Sequence, residues 1–352
     1  MKTNLNFFKK SKSLSVDDFF QNVLYDNKFG YYNLKHPFGG KGDFITAPNI
    51  SNLFSEMIAI WIISTWELFG KPKKINVVEL GPGDGSLVKV LIEVFKRFPE
   101  FNLAKRIYLF DESKLLKKFQ KKNIKNSVKW IDDFNSIKGA PAIFFGNEFF
   151  DAIPIKQFKR EKNILFERNF FLEKNNKISE IYKKASYQDR KTINSYKTLK
   201  NLRFIEFPKS GFSLLEKVIN KIKTLGGCIL MIDYGYLKSN NQDTLQSVVK
   251  HKKNFILANL GKADITAQVN FSLLNEFYLK KKIKIKKNIT QSQFLKNMGI
   301  LKRAEIIAKK MTFRHQTNLY LRLKRLLSPK SMGNLFKISL AFKCKLSNFS
   351  GF

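Results

Sequence analysis

Ile75-Asn-Val-Val-Glu-Leu-Gly-Pro-Gly-Asp-Gly85 is the stretch whose reading decides the fold. A β-branched apolar run ends in the acid Glu79, and Gly81, Gly83 and Gly85 follow at alternate positions. Leu87, Val90, Leu91, Val94, Phe95 and Phe98 then recur at helical spacing. Glycine permits a tight turn and lets backbone approach a ligand closely, so the pattern predicts a strand, a ligand-cradling loop and a helix start. A Gly-rich turn that binds nothing is the plain alternative. The spacing matches neither nucleotide fingerprint: the Lys-Ser/Thr pair of a P-loop is missing, and one residue rather than two separates the last two glycines.

Working outward, Arg106-Ile-Tyr-Leu-Phe-Asp111 predicts a second strand ending in an acid, and residues 127–131 a third, followed by Asp132 and Asp133. Ala142-Ile-Phe-Phe145 predicts a fourth and residues 226–235 a fifth, after an amphipathic helix around 211–224. Strands alternating with helices argue for an α/β fold with a parallel, doubly wound sheet. Ser15-Val-Asp-Asp18 matches a capping box and opens a helix to about Tyr25. A loop rich in Gly, Pro and aromatics spans residues 29–48 and is expected to bind rather than merely connect. Residues 1–70 are thus an N-terminal extension of helices and loop. The core covers 71–155 and 211–352, with a mixed C-terminal region, and the polar, weakly periodic segment 156–210 is a partly β insertion capping one side of the site.

Composition sets limits. The chain has 352 residues, 43% apolar, enough for one large or two modest cores. Two cysteines give no disulfide framework or zinc spacing, and His36, His251 and His315 are dispersed, so no metal is expected. The longest apolar stretch, residues 57–66, is half the ~20 residues of a spanning helix. Cytoplasm is favoured, with the mitochondrial matrix as the alternative because the N-terminus is basic, acid-free and amphipathic. A net charge of +37 would ordinarily suggest nucleic acid. Lysine outnumbers arginine several-fold, however, and the clusters lack interleaved aromatics, so solvated lysine faces are the preferred reading.

Ligands of such folds sit outside the carboxyl ends of the strands at the switch point. Asp111 stands at the interval from the glycine loop at which an acid meets ribose hydroxyls, and Asp132 is placed to receive an adenine amino group. Either could instead be an ordinary turn acid. After strand four the chain reads Asn147-Glu-Phe-Phe-Asp151: two carboxylates about an apolar wall suit a cationic acceptor, such as a planar guanidinium gripped through its N–H fork. The alternative is that Glu148 and Asp151 merely cap the following turn.

Acid-x-Gly-x-Gly-x-Gly resembles the first motif of class I S-adenosylmethionine-dependent methyltransferases, which implies that Glu79 holds part of that cofactor and that residues 81–85 pass beside its methionine portion. Further motifs occur in order: Tyr31-Tyr32, Gly42-Asp-Phe-Ile-Thr-Ala-Pro48, Asn147-Glu-Phe-Phe-Asp-Ala-Ile-Pro154, Ile232-Asp-Tyr-Gly235, Asp243-Thr-Leu-Gln246, Gly261-Lys-Ala-Asp-Ile-Thr-Ala267 and Met332-Gly-Asn-Leu-Phe-Lys337. Together they resemble the MidA family, that of the mitochondrial complex I assembly methyltransferase. The resemblance implies a class I (Rossmann-like) methyltransferase fold, S-adenosyl-L-methionine as cofactor, and arginine methylation of a complex I subunit as the reaction. It puts Glu79, Gly81, Gly83, Gly85 and Asp111 on the cofactor motif. Asp43 and Thr46 are assigned to the cofactor side, and Asn147, Glu148 and Asp151 to catalysis. Where the family usually has Ser, Glu, Glu and His, this chain has Ala47, Asn49, Asp111 and Ile131. A nucleic-acid methyltransferase and a non-catalytic assembly chaperone are the competing functions.

Overall fold

The six residues of Ile75–Leu80 are all buried, as a strand must be when helices cover both faces of its sheet. The computed structural model describes residues 5–9, 11–34, 46–124, 128–249 and 251–352. Among them the helices used below are α1 (Val16–Tyr25), α2 (Asn52–Leu68), α3 (Ser86–Phe95), α4 (Lys114–Asn123), α5 (Lys209–Leu225) and α6 (Phe313–Leu327). The long strands of the main sheet are β1 (Ile75–Leu80), β2 (Lys105–Phe110), β3 (Val128–Ile131), β4 (Ala142–Asn147), β5 (Gly227–Tyr236) and β6 (Phe336–Lys343).

Their order is β6-β5-β4-β1-β2-β3, with β1 to β5 parallel and β6 antiparallel to β5. The chain runs outward from β1 through β2 to β3, then returns to the other side of β1 as β4. The crevice between the β1 and β4 tips is therefore the switch point. Alternate side chains face opposite layers. Val77, Leu109 and Phe145 pack with α2 and α3, whereas Val78, Phe110 and Phe144 pack with α5. The five parallel strands match those expected, and β6 was not anticipated.

Two additions stand at the carboxyl end. Residues 156–210 form antiparallel strands Lys156–Glu161, Ile164–Leu172, Ile178–Lys184 and Phe204–Phe207. The short strand Ser13–Ser15 joins this sheet, with Ser13 opposite Phe171. The N-terminal extension and the insertion are thus one sheet rather than two separate units, and Phe19 of α1 packs edge-on against Phe170, with ring centroids 4.6 Å apart. Ser15 caps α1 as expected, its side chain accepting from Asp18 N–H. A small sheet of Gln246–Val249, Lys252–Asn254 and Asp264–Thr266 follows β5. No helix among the described residues is long and apolar enough to cross a membrane.

Candidate active site at the sheet's carboxyl end

Beyond β1 the chain turns through Gly81, Gly83 and Gly85, with φ of 65°, 56° and 81°. This left-handed region is costly for residues with a Cβ. Two of the three glycines are also forced by packing. A Cβ on Gly81 would stand 2.6 Å from the Phe149 ring, and one on Gly85 2.8 Å from Ile124 Cδ1. Gly81 N–H donates to Phe110 O at 2.9 Å, which ties the loop to β2.

Gly81 and Gly83 line a cleft of about 760 Å3, together with Asp111 and Glu112 beyond β2, Glu148 and Phe149 beyond β4, and Tyr25 and Tyr32 across the opening. Asp111 accepts from Ser113 N–H and from Gln120 Nε2, both at 2.8 Å. Burial outweighs these bonds and lifts its carboxyl to about 6. Gln120 is fully buried: it also donates to Gly83 O at 2.9 Å and accepts from Trp130 Nε1 at 2.9 Å. One carboxamide thus fixes the distance between the glycine loop and Asp111. Glu79 is buried, with its Oε2 unpartnered among the described residues, and burial, then Asp84, raises it to about 8.

A second cavity, of about 1000 Å3, adjoins the first. Tyr32 and Glu148 line both, so the Glu148 carboxyl stands at their junction. Glu148 has φ of 51°, rare for a residue other than glycine, and strain of this kind concentrates at functional sites. Its N–H donates to Ile232 O at 2.9 Å, while Oε1 accepts from Asn147 Nδ2 at 3.2 Å and Ala47 N–H at 3.4 Å. Burial and the nearby Asp151 push it up to about 8, and the Arg325 guanidinium partly opposes this. Asp151 is raised to about 6 by burial despite accepting from the Tyr234 hydroxyl, and its Oδ1 has no hydrogen-bond partner among the described residues. Behind them Asp233, fully buried at the end of β5, accepts from Phe150, Asp151 and Tyr234 N–H at 2.8, 3.2 and 2.9 Å. Burial holds it well above the usual carboxyl range. Asp264 completes the acidic wall and accepts from the Tyr32 hydroxyl at 3.4 Å.

The structure gathers Gly81, Gly83, Asp111 and Glu148 about the first cavity, and Glu148 and Asp151 about the second, while Glu79 and Gly85 line neither. Asn147 ends β4, and its Oδ1 is buried without a partner among the described residues. Thr46 lines the second cavity and N-caps the short helix Ala47–Ile50, whose first N–H reaches Glu148. Asp43 and His36 lie outside the described residues, as does most of the loop expected to bind. Asp132 stands apart: its side chain is 92% exposed and pairs with Lys117 of α4, and it does not line the cleft. His251 is exposed, and no group of three or more His, Cys, Asp or Glu among the described residues could hold a metal. Reading the sequence missed Glu112, Gln120, Asp233 and Asp264. The last two lie in motifs whose order was noted without a role.

The family described as putative S-adenosyl-L-methionine-dependent methyltransferase matches residues 57–288. The mitochondrial protein arginine methyltransferase NDUFAF7 of Xenopus tropicalis is 28% identical over 367 residues, covering 94% of this chain and 82% of that one. Its human counterpart is 28% identical over 357 residues, covering 93% and 80%. Among solved structures, a COG1565 superfamily member from Burkholderia thailandensis bound to S-adenosyl-homocysteine superposes with a TM-score of 0.81 at 20% identity, over 97% of this chain and 90% of that one. At that identity the likeness establishes the fold.

Proposed function

The chain belongs to this S-adenosylmethionine-dependent methyltransferase family, and from that premise we propose that it methylates arginine in a protein, a subunit of respiratory complex I during assembly. One observation carries the acceptor assignment. In a chain of net charge +37, the carboxyls of Glu148, Asp151 and Asp264 converge on the cavity that meets the glycine-loop cleft at Glu148. Arg325 lines the same cavity, but the three carboxyls outnumber it, so the wall favours a guanidinium over phosphate, which argues against nucleic acid. The relatives named above as protein arginine methyltransferases support the same reading.

The first cavity fits the cofactor. The Asp111 carboxyl lines the cleft with lone pairs to spare, Leu116, Ile153 and Leu214 supply an apolar wall, and Glu79, two residues before Gly81, keeps one buried carboxyl oxygen unpartnered among the described residues. When bound, S-adenosylmethionine supplies an electrophilic methyl on a sulfonium. Glu79, Gly81, Gly83, Gly85 and Asp111 would hold it. Glu148, at the junction, would grip the acceptor guanidinium and aim one nitrogen along the line of transfer; Asp151 would neutralise the remaining charge. In-line positioning is the main requirement of such a displacement, and the proton released from the guanidinium can pass to Glu148, whose raised affinity suits it to receive one. The two cysteines are free, as the cytoplasm, the compartment we favour, would keep them.

The test incubates the protein with labelled cofactor and complex I subunit peptides carrying arginine, against the same peptides with Arg→Lys. Label confined to the arginine peptides is expected; equal labelling of both ends the arginine assignment. Calorimetry with the cofactor separates the enzyme from a non-catalytic assembly chaperone, which would give no binding heat.

A further inference from the structure

The acidic cavity does not end at Asp151. A polar trough of about 850 Å3 continues from it, sharing Gln246 and Gln268 and running past Thr244, Ser247, Gln242 and Lys253. Its wall is built mostly from carboxamides and hydroxyls, with one cation, Lys253, and one acid, Asp243, which Arg168 already pairs.

The trough is held from beneath by the insertion. Thr244 Oγ1 donates to Glu206 Oε2 at 2.6 Å and accepts from Gln268 N–H at 3.0 Å, and Thr244 N–H donates to Glu206 Oε1 at 3.0 Å. Gln157 Nε2 donates both to Glu206 Oε1 at 2.9 Å and to Asp243 Oδ1 at 2.8 Å, and Arg168 Nη1 reaches Asp243 Oδ2 at 2.6 Å. Gln157, Glu206 and Arg168 are all buried. No residue of the strands Lys156–Glu161, Ile164–Leu172, Ile178–Lys184 or Phe204–Phe207 lines either cavity of the active site. Their buried polar groups are spent instead on fixing the segment that forms the trough. A fully satisfied network of this kind specifies one geometry.

We propose that the trough seats the polypeptide flanking the target arginine, an extended segment recognised mainly through its backbone. This rests on the arginine-methylation reading and names the substrate class: a chain, not a free guanidine compound. Carboxamides and hydroxyls offer donors and acceptors together, as a peptide backbone requires, and the trough is continuous with the cavity assigned to the arginine.

The test uses two acceptors with labelled cofactor: acetyl-Gly-Arg-Gly-amide, and a fifteen-residue Gly/Ala/Ser peptide with a single central arginine. Wild type is compared with Gln242→Trp and Lys253→Ala, both at exposed positions lining neither active-site cavity. In the wild type, kcat/KM for the long peptide should exceed that for the short one by at least about tenfold, through KM. In the variants the long-to-short ratio should fall by a factor of about five to ten. Equal kcat/KM for the two peptides in the wild type, or an unchanged ratio in both variants, overturns the trough as a peptide track. A long peptide with Arg→Lys separates the two claims. If it is labelled as strongly as its arginine parent, the arginine reading fails, while the length dependence still judges the trough.

Discussion

Glu148 must carry its charge to grip a guanidinium, and the guanidinium itself stays protonated throughout the accessible range. Its carboxyl is raised to about 8 by burial and by Asp151. A group half-ionised near pH 8 is about one-tenth ionised at pH 7. At saturating cofactor, kcat/KM for an arginine peptide should therefore rise roughly fivefold from pH 7 to 8 and level off about tenfold above its pH 7 value. The direction follows from the sign: a raised acid is neutral below its displaced value and gains the productive charge above it. Asp151, near 6, is mostly ionised by pH 7 and shapes only the lower limb. Glu148→Gln removes the charge but keeps the shape. It should abolish the rise and lower the plateau about 30- to 160-fold, the worth of a charge-assisted hydrogen bond of ~2–3 kcal/mol. Initial rates of label incorporation between pH 6 and 9.5 measure this. A flat wild-type profile, or a Gln variant that keeps the slope, would refute the assignment of Glu148 to the acceptor.

Gly83→Val places a branched side chain in the cleft at a φ of 56°. Cofactor affinity by calorimetry should fall more than about 100-fold, while the left-handed backbone costs only about 1–2 kcal/mol of stability, so near-wild-type binding would show the loop is not where the cofactor lies. Glu79 is buried and raised to about 8 from 4.5, so its folded-state preference for the proton is lost as pH climbs through that window. The Tm of Glu79→Gln should accordingly improve relative to wild type between pH 5.5 and 8.5, by up to about 1.4 kcal/mol of stability per pH unit; a difference independent of pH would mean the carboxyl is not desolvated. Asp132→Ala deletes an exposed ion pair with Lys117, worth ~0–1 kcal/mol, and should leave both Tm and cofactor affinity nearly unchanged. A tenfold loss of affinity would restore its adenine role.

The parallel core was legible because each of its strands is local: apolar runs such as residues 75–80 and 142–147 are short, bounded by turn chemistry and alternate with helices. β6 was not. Its partner β5 lies a hundred residues earlier, and nothing in Phe336–Lys343 records an antiparallel return. The glycine loop and the acids on the β4 loop were legible because backbone conformation and charge leave marks in sequence. The surroundings of Asp132 were not legible, because an acid at a strand end looks the same in sequence whether or not a lysine such as Lys117 on α4 pairs with it. Gln120 was invisible for the opposite reason. Amid the lysines of α4 it reads as one more solvated residue, yet it is completely buried against Asp111 and Gly83.

Phe149 presses its ring into the space that Gly81 leaves empty, and the backbone of the next two residues hangs from Asp233. The glycine turn we assign to the donor and the β4 loop we assign to the acceptor therefore pack as one piece. Neither can shift without the other registering it, so occupancy on one side should retune the grip on the other, by the same factor whichever ligand arrives first.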